Sequence, residues 1–173
     1  MTILDKFKAI TTLIFDMDGV LTDGMFTLLP GGVVARTMNV KDGYALQLAV
    51  KKGYHVVVIS GSYSAEAEAR LNRLGIDKVW MSITDKIAVA EEYLQQQQLS
   101  WHETLYMGDD IPDLDVMKKA GIACCPADAV AEIKETANYI SHINGGYGCV
   151  RDVIEKVLKL RTDWDNDILT PSA

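Results

Sequence analysis

The sequence predicts an α/β protein of three layers, with a parallel central sheet between helices, one projecting β-hairpin and no cap domain above it. Three observations carry that expectation. Apolar runs of strand length alternate with helical patterns along the chain. The run Tyr54-His-Val-Val-Val-Ile59 is continuously apolar and β-branched after its first two residues, as in a strand covered on both faces. Polar residues gather where predicted strands end, the edge at which open α/β sheets bind ligands.

A chain of 173 residues suffices for one domain with its own core. That domain is expected over 1–160, followed by a polar tail at 161–173. No segment approaches the apolar length of a membrane span, and the N-terminus has no signal region, so a cytoplasmic protein without a membrane partner is expected. A net charge of −7 with no basic patch argues against a nucleic-acid partner, so any anionic ligand must be met by local cations. Cys124, Cys125 and Cys149 lack metal-ligand spacing and read as reduced structural thiols. His55, His102 and His142 sit in unrelated contexts, and none is a strong catalytic candidate.

Taken in order, residues 1–12 form a lead-in, and Leu13 to Phe15 a buried strand that ends in Asp16-Met-Asp18-Gly19. Two β-prone runs around Pro30-Gly31-Gly32 predict the hairpin at 25–38. Asn39 to Gly43 leads into a helix over Tyr44 to Lys52, and the strand at 54–59 ends at Ser60-Gly61. Ser62 or Ser64 can cap the next helix, and Asp77 to Met81 is a short strand. Ser82 or Thr84 is expected to cap a long helix with Lys86 near its start. Thr104 to Met107 is a strand running into Gly108-Asp-Asp-Ile-Pro-Asp113, and Pro112 suits the first turn of a helix ending at Gly121. Ile122 to Cys125 is a strand, 126–135 a helix, 139–141 a strand, 144–148 a glycine-rich loop and 149–160 an amphipathic helix.

Parallel strands place Asp16, Ser60 and Asp109 on one sheet edge, with Lys86 beside them. Clustered carboxylates repel one another unless a cation or a proton intervenes, so a divalent metal with oxygen ligands suits them. Asp16-Met-Asp18 alone also reads as an acidic turn, Ser60 as a helix start and Lys86 as a surface lysine.

The four stretches Asp16-Met-Asp-Gly19, Ser60-Gly61, Lys86 and Gly108-Asp-Asp-x-x-Asp113, in that order, resemble the motifs of the haloacid dehalogenase superfamily of phosphohydrolases. The resemblance implies a Rossmann-like fold in which Asp16 is the nucleophile and Asp18 the general acid and base. It also implies Mg²⁺ held by Asp16, Asp109 and the main-chain carbonyl of Asp18. Lys86 would supply a fixed cation and Ser60 a hydroxyl, and Asp110 or Asp113 would orient Lys86 or the metal's waters.

Gly24 to Asn39 and Gly61 to Thr84 are too short for an inserted cap domain. With Gly145-Gly-Tyr-Gly148 and Val150-Arg-Asp152, this pattern is similar to the 3-deoxy-D-manno-octulosonate 8-phosphate phosphatase family. That resemblance implies a phosphorylated keto-sugar acid substrate of lipopolysaccharide synthesis and a homotetramer assembled through its hairpins. It assigns substrate contacts to Asp18, Asn39, Val40, Lys41, Asp42, Gly43, Ser60, Gly61, Arg70 and Lys86. Ser62 and Gln47 stand where arginines are common in that family, which keeps a nine-carbon keto-sugar acid 9-phosphate of the sialic acid type as the alternative. A phosphoaspartate receiver and a silent interaction module are the more distant ones.

Overall fold

The computed structural model describes residues 2–165 and 169–170; Met1 and the parts of the expected tail at 166–168 and 171–173 lie outside the described residues. A six-stranded parallel sheet organises the chain. Its strands are β1 (Thr12–Phe15), β4 (His55–Ile59), β5 (Lys78–Trp80), β6 (Thr104–Met107), β7 (Ile122–Cys125) and β8 (Tyr139–Ile140), in the spatial order β5-β4-β1-β6-β7-β8. The chain builds outward from β1 on one side, then returns to build the other. The site edge therefore lies between β4, β1 and β6, where such a reversal of strand order opens a crevice.

β1 is central because it is apolar on both faces. Leu13 and Phe15 join the cluster formed with α1 (Ile3–Ala9), α2 (Val40–Lys51) and α7 (Cys149–Leu160). Ile14 turns to the opposite cluster, with α4 (Lys86–Gln96), α5 (Leu114–Lys119) and α6 (Ala131–Thr136). This is the two-residue alternation of a strand with helices on both sides. All three side chains are fully buried, each worth about 1.5–3 kcal/mol of transfer free energy. Phe15 pairs with Val58 and with Met107, so the residues following β1, β4 and β6 emerge at a common level.

The hairpin, β2 (Thr27–Leu29) and β3 (Val33–Ala35), projects from the sheet with a 3₁₀ turn at Pro30–Gly32. Leu28 and Val33 are largely exposed on it. The three cysteines are free and buried, as expected. Among the described residues no helix is long and apolar enough to cross a membrane.

Three boundaries differ from the sequence expectation. α2 starts at Val40 rather than Tyr44, because the Asn39 side chain accepts from the Lys41 N–H and caps it. α4 is capped by Asp85, whose carboxylate accepts from the Ala88 N–H, and not by Ser82 or Thr84. The helix expected from Pro126 begins only at Ala131, since Ala127 and Val130 give their N–H groups to Ile143 and Asp109. Ser64, not Ser62, caps α3 (Ala65–Arg73), leaving Ser62 for other work.

Asp42 joins two helices. It is 1% exposed, and its Oδ1 accepts the Arg151 N–H at 2.7 Å in the first turn of α7. Burial pushes its pKa up to about 6, against the opposing pull of Arg151. Replacing Asp42 with Ala removes that acceptor and is expected to cost about 1–3 kcal/mol, read as a lower urea midpoint at unchanged m-value; an unaltered midpoint would contradict this role.

Candidate active site

Asp16 is the first residue after β1, and the chain turns at once. Leu21 and Thr22 return their N–H groups to the Met17 carbonyl, and Gly19 adopts a φ of +90°. A Cβ at Gly19 would lie 2.0 Å from Asp109 Oδ2, so glycine is what lets the two acidic loops close on each other. From the other side the glycine-rich loop packs on the same turn: a Cβ at Gly145 would lie 1.9 Å from the Gly19 carbonyl oxygen. The Gly145 N–H is held by Asp128 at 2.9 Å.

Lys86 is the first residue of α4. Its Nζ lies 2.8 Å from Asp16 Oδ1 and 2.7 Å from Asp113 Oδ1, with side-chain exposures of 4%, 10% and 1%. Burial opposes the lysine charge, but Asp16 and Asp113 outweigh it and raise the pKa, so the ammonium is fixed. Asp113 is the anchor. Its Oδ1 also accepts the Tyr106 hydroxyl at 2.6 Å, and its Oδ2 accepts the N–H groups of Asp109 at 3.0 Å and Asp110 at 3.4 Å. The sequence left Asp110 and Asp113 open as the residue orienting Lys86; Asp113 does so, while Asp110 caps the Ile111–Asp113 turn.

Carboxylate oxygens of Asp16, Asp109 and Asp113 come within 4.8 Å of one another. Asp113 has both oxygens committed to donors, so Asp16 and Asp109 face the remaining space. Asp109 Oδ1 is buried and has no hydrogen-bond partner among the described residues. Burial, and then the charge of Asp113, push Asp16 up to about 6. Burial, and then the charges of Asp16 and Asp113, push Asp109 up to about 8. Two buried carboxylates with raised affinity for protons, one with an orphaned oxygen, are a donor set that a hard divalent cation fits.

The Asp18 side chain points elsewhere. It accepts from Arg36 Nε at 2.8 Å and Nη2 at 3.3 Å, from the Ser62 hydroxyl at 2.5 Å and from Thr22 at 3.2 Å. Ser62 in turn meets the Ser60 hydroxyl at 3.2 Å, so the second predicted motif is wired to the acid/base candidate. Ser60 itself is buried. Arg36 was missed by the sequence reading; the signal was present, since it is the only charged residue in the stretch 25–38.

The predicted substrate contacts fall into two groups. Asp18, Ser60, Gly61 and Lys86 stand around the acidic cluster or beside it. Asn39 and Asp42 spend their side chains inside the chain, as helix cap and interhelix link. Gly43 is buried in α2, Val40 is exposed, and Lys41 lines a surface groove with Arg151, Lys156 and Lys159. Arg70 lines the cavity between the hairpin and α3, with Nη2 buried and unpartnered. Gln47, where an arginine is common in the resembled family, has a buried carbonyl oxygen without a partner.

Fold and cluster together define a phosphate-type site of a doubly wound α/β protein, with acidic groups at the end of the central strand and a fixed lysine beside them. A profile of haloacid dehalogenase-like hydrolases matches residues 78–154. The 3-deoxy-D-manno-octulosonate 8-phosphate phosphatase of Salmonella typhi is 33% identical over 156 residues, 90% of this chain and 83% of that protein. The enzyme of the same name from Escherichia coli K12 is 32% identical over the same shares. A crystal structure of the Moraxella catarrhalis enzyme, in complex with magnesium, phosphate and KDO, superposes with a TM-score of 0.91 at 29% identity, covering 96% of each chain. The Yersinia pestis enzyme superposes with a TM-score of 0.90 at 31% identity, covering 93% of this chain and 87% of that one. The chain belongs to the haloacid dehalogenase-like hydrolases, within the family of the 3-deoxy-D-manno-octulosonate 8-phosphate phosphatases.

The raised pKa values fix a sign. In the folded protein Asp16 and Asp109 keep protons that the unfolded chain releases near pH 4, so their contribution to stability is complete below that pH and lost as pH rises through about 6 and about 8. In chelator the Tm is expected to fall by several degrees between pH 5 and pH 9, and Mg²⁺ to restore most of the loss at the alkaline end. A Tm that is flat or rising over that range in chelator would contradict the arrangement.

Proposed function

We propose that this chain is a Mg²⁺-dependent phosphomonoesterase that hydrolyses 3-deoxy-D-manno-octulosonate 8-phosphate to the free sugar acid and inorganic phosphate. The observation that carries the reading is the division of labour between two carboxylates two residues apart. Asp16 is fixed by Lys86 beside an unfilled oxygen of Asp109, whereas Asp18 is held apart on Arg36 and Ser62. Two roles for two neighbouring carboxylates require that they be held in different environments.

Asp16, Asp109 and the main-chain carbonyl of Asp18 are the groups that would hold Mg²⁺. When bound, the ion supplies positive charge to the phosphoryl oxygens and to the Asp16 carboxylate. The rest belongs to the chain. Asp16 attacks phosphorus in line with the ester oxygen; the Asp16–phosphorus bond forms and the ester bond breaks, leaving an aspartyl-phosphate. Asp18 gives its proton to the departing alkoxide, then takes one from the water whose attack on phosphorus breaks the Asp16–phosphorus bond and releases inorganic phosphate, so both carboxylates end as they began. Lys86 keeps its charge and steadies the phosphoryl oxygens beside Asp16. Asp113 does no chemistry; it sets the position of Lys86.

The substrate assignment rests on the named relatives and on the absence of a cap, which leaves room for a sugar acid longer than a hexose. The exposed apolar hairpin residues Met25, Leu28 and Val33 support a homotetramer assembled through that element. Membership of a hydrolase family supports turnover over a receiver or a silent module. Ser62 and Gln47 keep the nine-carbon acid 9-phosphate as the competing substrate.

Phosphate release with and without Mg²⁺, from eight- and nine-carbon keto-sugar acid phosphates beside ordinary hexose and pentose phosphates, tests the assignment. The eight-carbon acid is expected to lead by kcat/KM, and chelation to abolish turnover. Asp16→Asn is expected to lower kcat by about a thousandfold or more with fold and assembly intact. Retained turnover would remove Asp16 as nucleophile, and preference for the nine-carbon acid would move the substrate.

A further inference from the structure

The hairpin's one charged residue does not face solvent. The Arg36 side chain is 8% exposed, and its guanidinium lies 4.5 Å over the centre of the Phe26 ring. It forms a two-toothed pair with Asp18 and also donates from Nη2 to the Ser62 hydroxyl at 3.1 Å. Ring, carboxylate and hydroxyl fix the plane of the fork before any ligand arrives. A planar fork fixed in this way suits a carboxylate, and a flexible ammonium would not match it.

Position assigns the fork to one half of the substrate. Lys86 lies against Asp16, on the side of the phosphoryl group. Arg36 lies against Asp18, which must reach the leaving oxygen, so Arg36 stands on the side of the leaving group. From Arg36 a cavity of about 750 Å³ opens between the hairpin and α3, lined by Met38, Val40, Tyr63 and Arg70 among others. Of these, Arg70 has a buried Nη2 with no hydrogen-bond partner among the described residues. A leaving group entering that cavity passes Arg36 first.

Chemistry brings a second anion to the same corner. In the ring-closed form of a 2-keto-3-deoxy eight-carbon acid, the carboxyl carbon and the arm bearing the phosphate ester are attached to the two carbons flanking the ring oxygen. The phosphate sits at the end of a short arm on that flank, so the carboxylate enters on the same flank of the sugar as the ester, on the Asp18 side of the site. A second anion brought beside the Asp18 carboxylate is repelled unless a cation serves both.

We propose that Arg36 binds the carboxylate of the sugar acid, with the Asp18 carboxylate occupying part of its fork until the substrate arrives, and so makes the enzyme select acidic phosphate esters over neutral ones. Ser62 holds the fork in place, and an arginine at that position would set a second guanidinium against it. This inference rests on the reading of the site as a sugar-acid phosphatase.

The test compares wild type, Arg36→Ala and Arg36→Lys on octulosonate 8-phosphate and on ribose 5-phosphate, which carries no carboxylate. Wild type is expected to prefer the acid. Arg36→Ala should lower that preference at least about tenfold, chiefly through the acid's KM, and Arg36→Lys should recover part of it by restoring charge without the fork. An unchanged preference in Arg36→Ala, with both substrates losing kcat alike, overturns the assignment and leaves Arg36 as a support for Asp18. A wild type with no preference for the acid overturns the substrate reading instead, and is recognised without any variant.

Discussion

The contact on which the rest of the site depends is the buried ammonium of Lys86 between Asp16 and Asp113. Removing three charges from water is expensive, and such a cluster is retained only if each charge has a partner and each remaining lone pair a donor. Asp113 meets that condition through Tyr106 and two backbone N–H groups. Asp16 and Asp109 meet it only in part. The protein thus concentrates its unmet electrostatic demand at Asp16 and Asp109, the two carboxylates proposed to meet a cation and a phosphoryl group.

Everything around that contact serves to hold it at one place. β1, β4 and β6 end at one level because their registers are locked. Gly19 and Gly145 let the acidic turn sit between the Asp109 loop and the C-terminal glycine loop without a side chain in the way. Stability and function meet here, since the same close packing that orders the turn also excludes water from Asp16. Asp18, by contrast, retains 21% side-chain exposure and is held as a charged partner of Arg36, with the Ser62 and Thr22 hydroxyls also donating to it.

Much of this was legible in the sequence, because the central strands are apolar on both faces and the motif residues follow them directly. The strand-end geometry converts sequence order into spatial convergence, so Asp16, Ser60, Lys86 and Asp109 could be placed together from pattern alone. Asn39 to Gly43 was less legible: a capping Asn and a buried Asp look like a polar connector until α7 is seen to lie against them. Arg36 was hidden for a related reason. A lone arginine at the end of an apolar hairpin reads as a solvated residue, and only the fold shows that the hairpin curls back so that its last turn of chain reaches Asp18. α6 began late because Ala127 and Val130 give their N–H groups to Ile143 and Asp109, a competition that local helix signals do not record.

The central claim is that burial and mutual repulsion raise the proton affinity of Asp16 and Asp109, so that a cation entering the site displaces a proton. The direct measurement is calorimetric titration of Mg²⁺ at pH 7 in buffers of different ionisation enthalpy, which counts the protons released per ion bound. Release of about one proton is predicted, since Asp109 titrates near 8 and Asp16 near 6 in the cation-free site. Binding without proton release would mean that both carboxylates are already ionised at pH 7, and that Lys86 alone holds the cluster together.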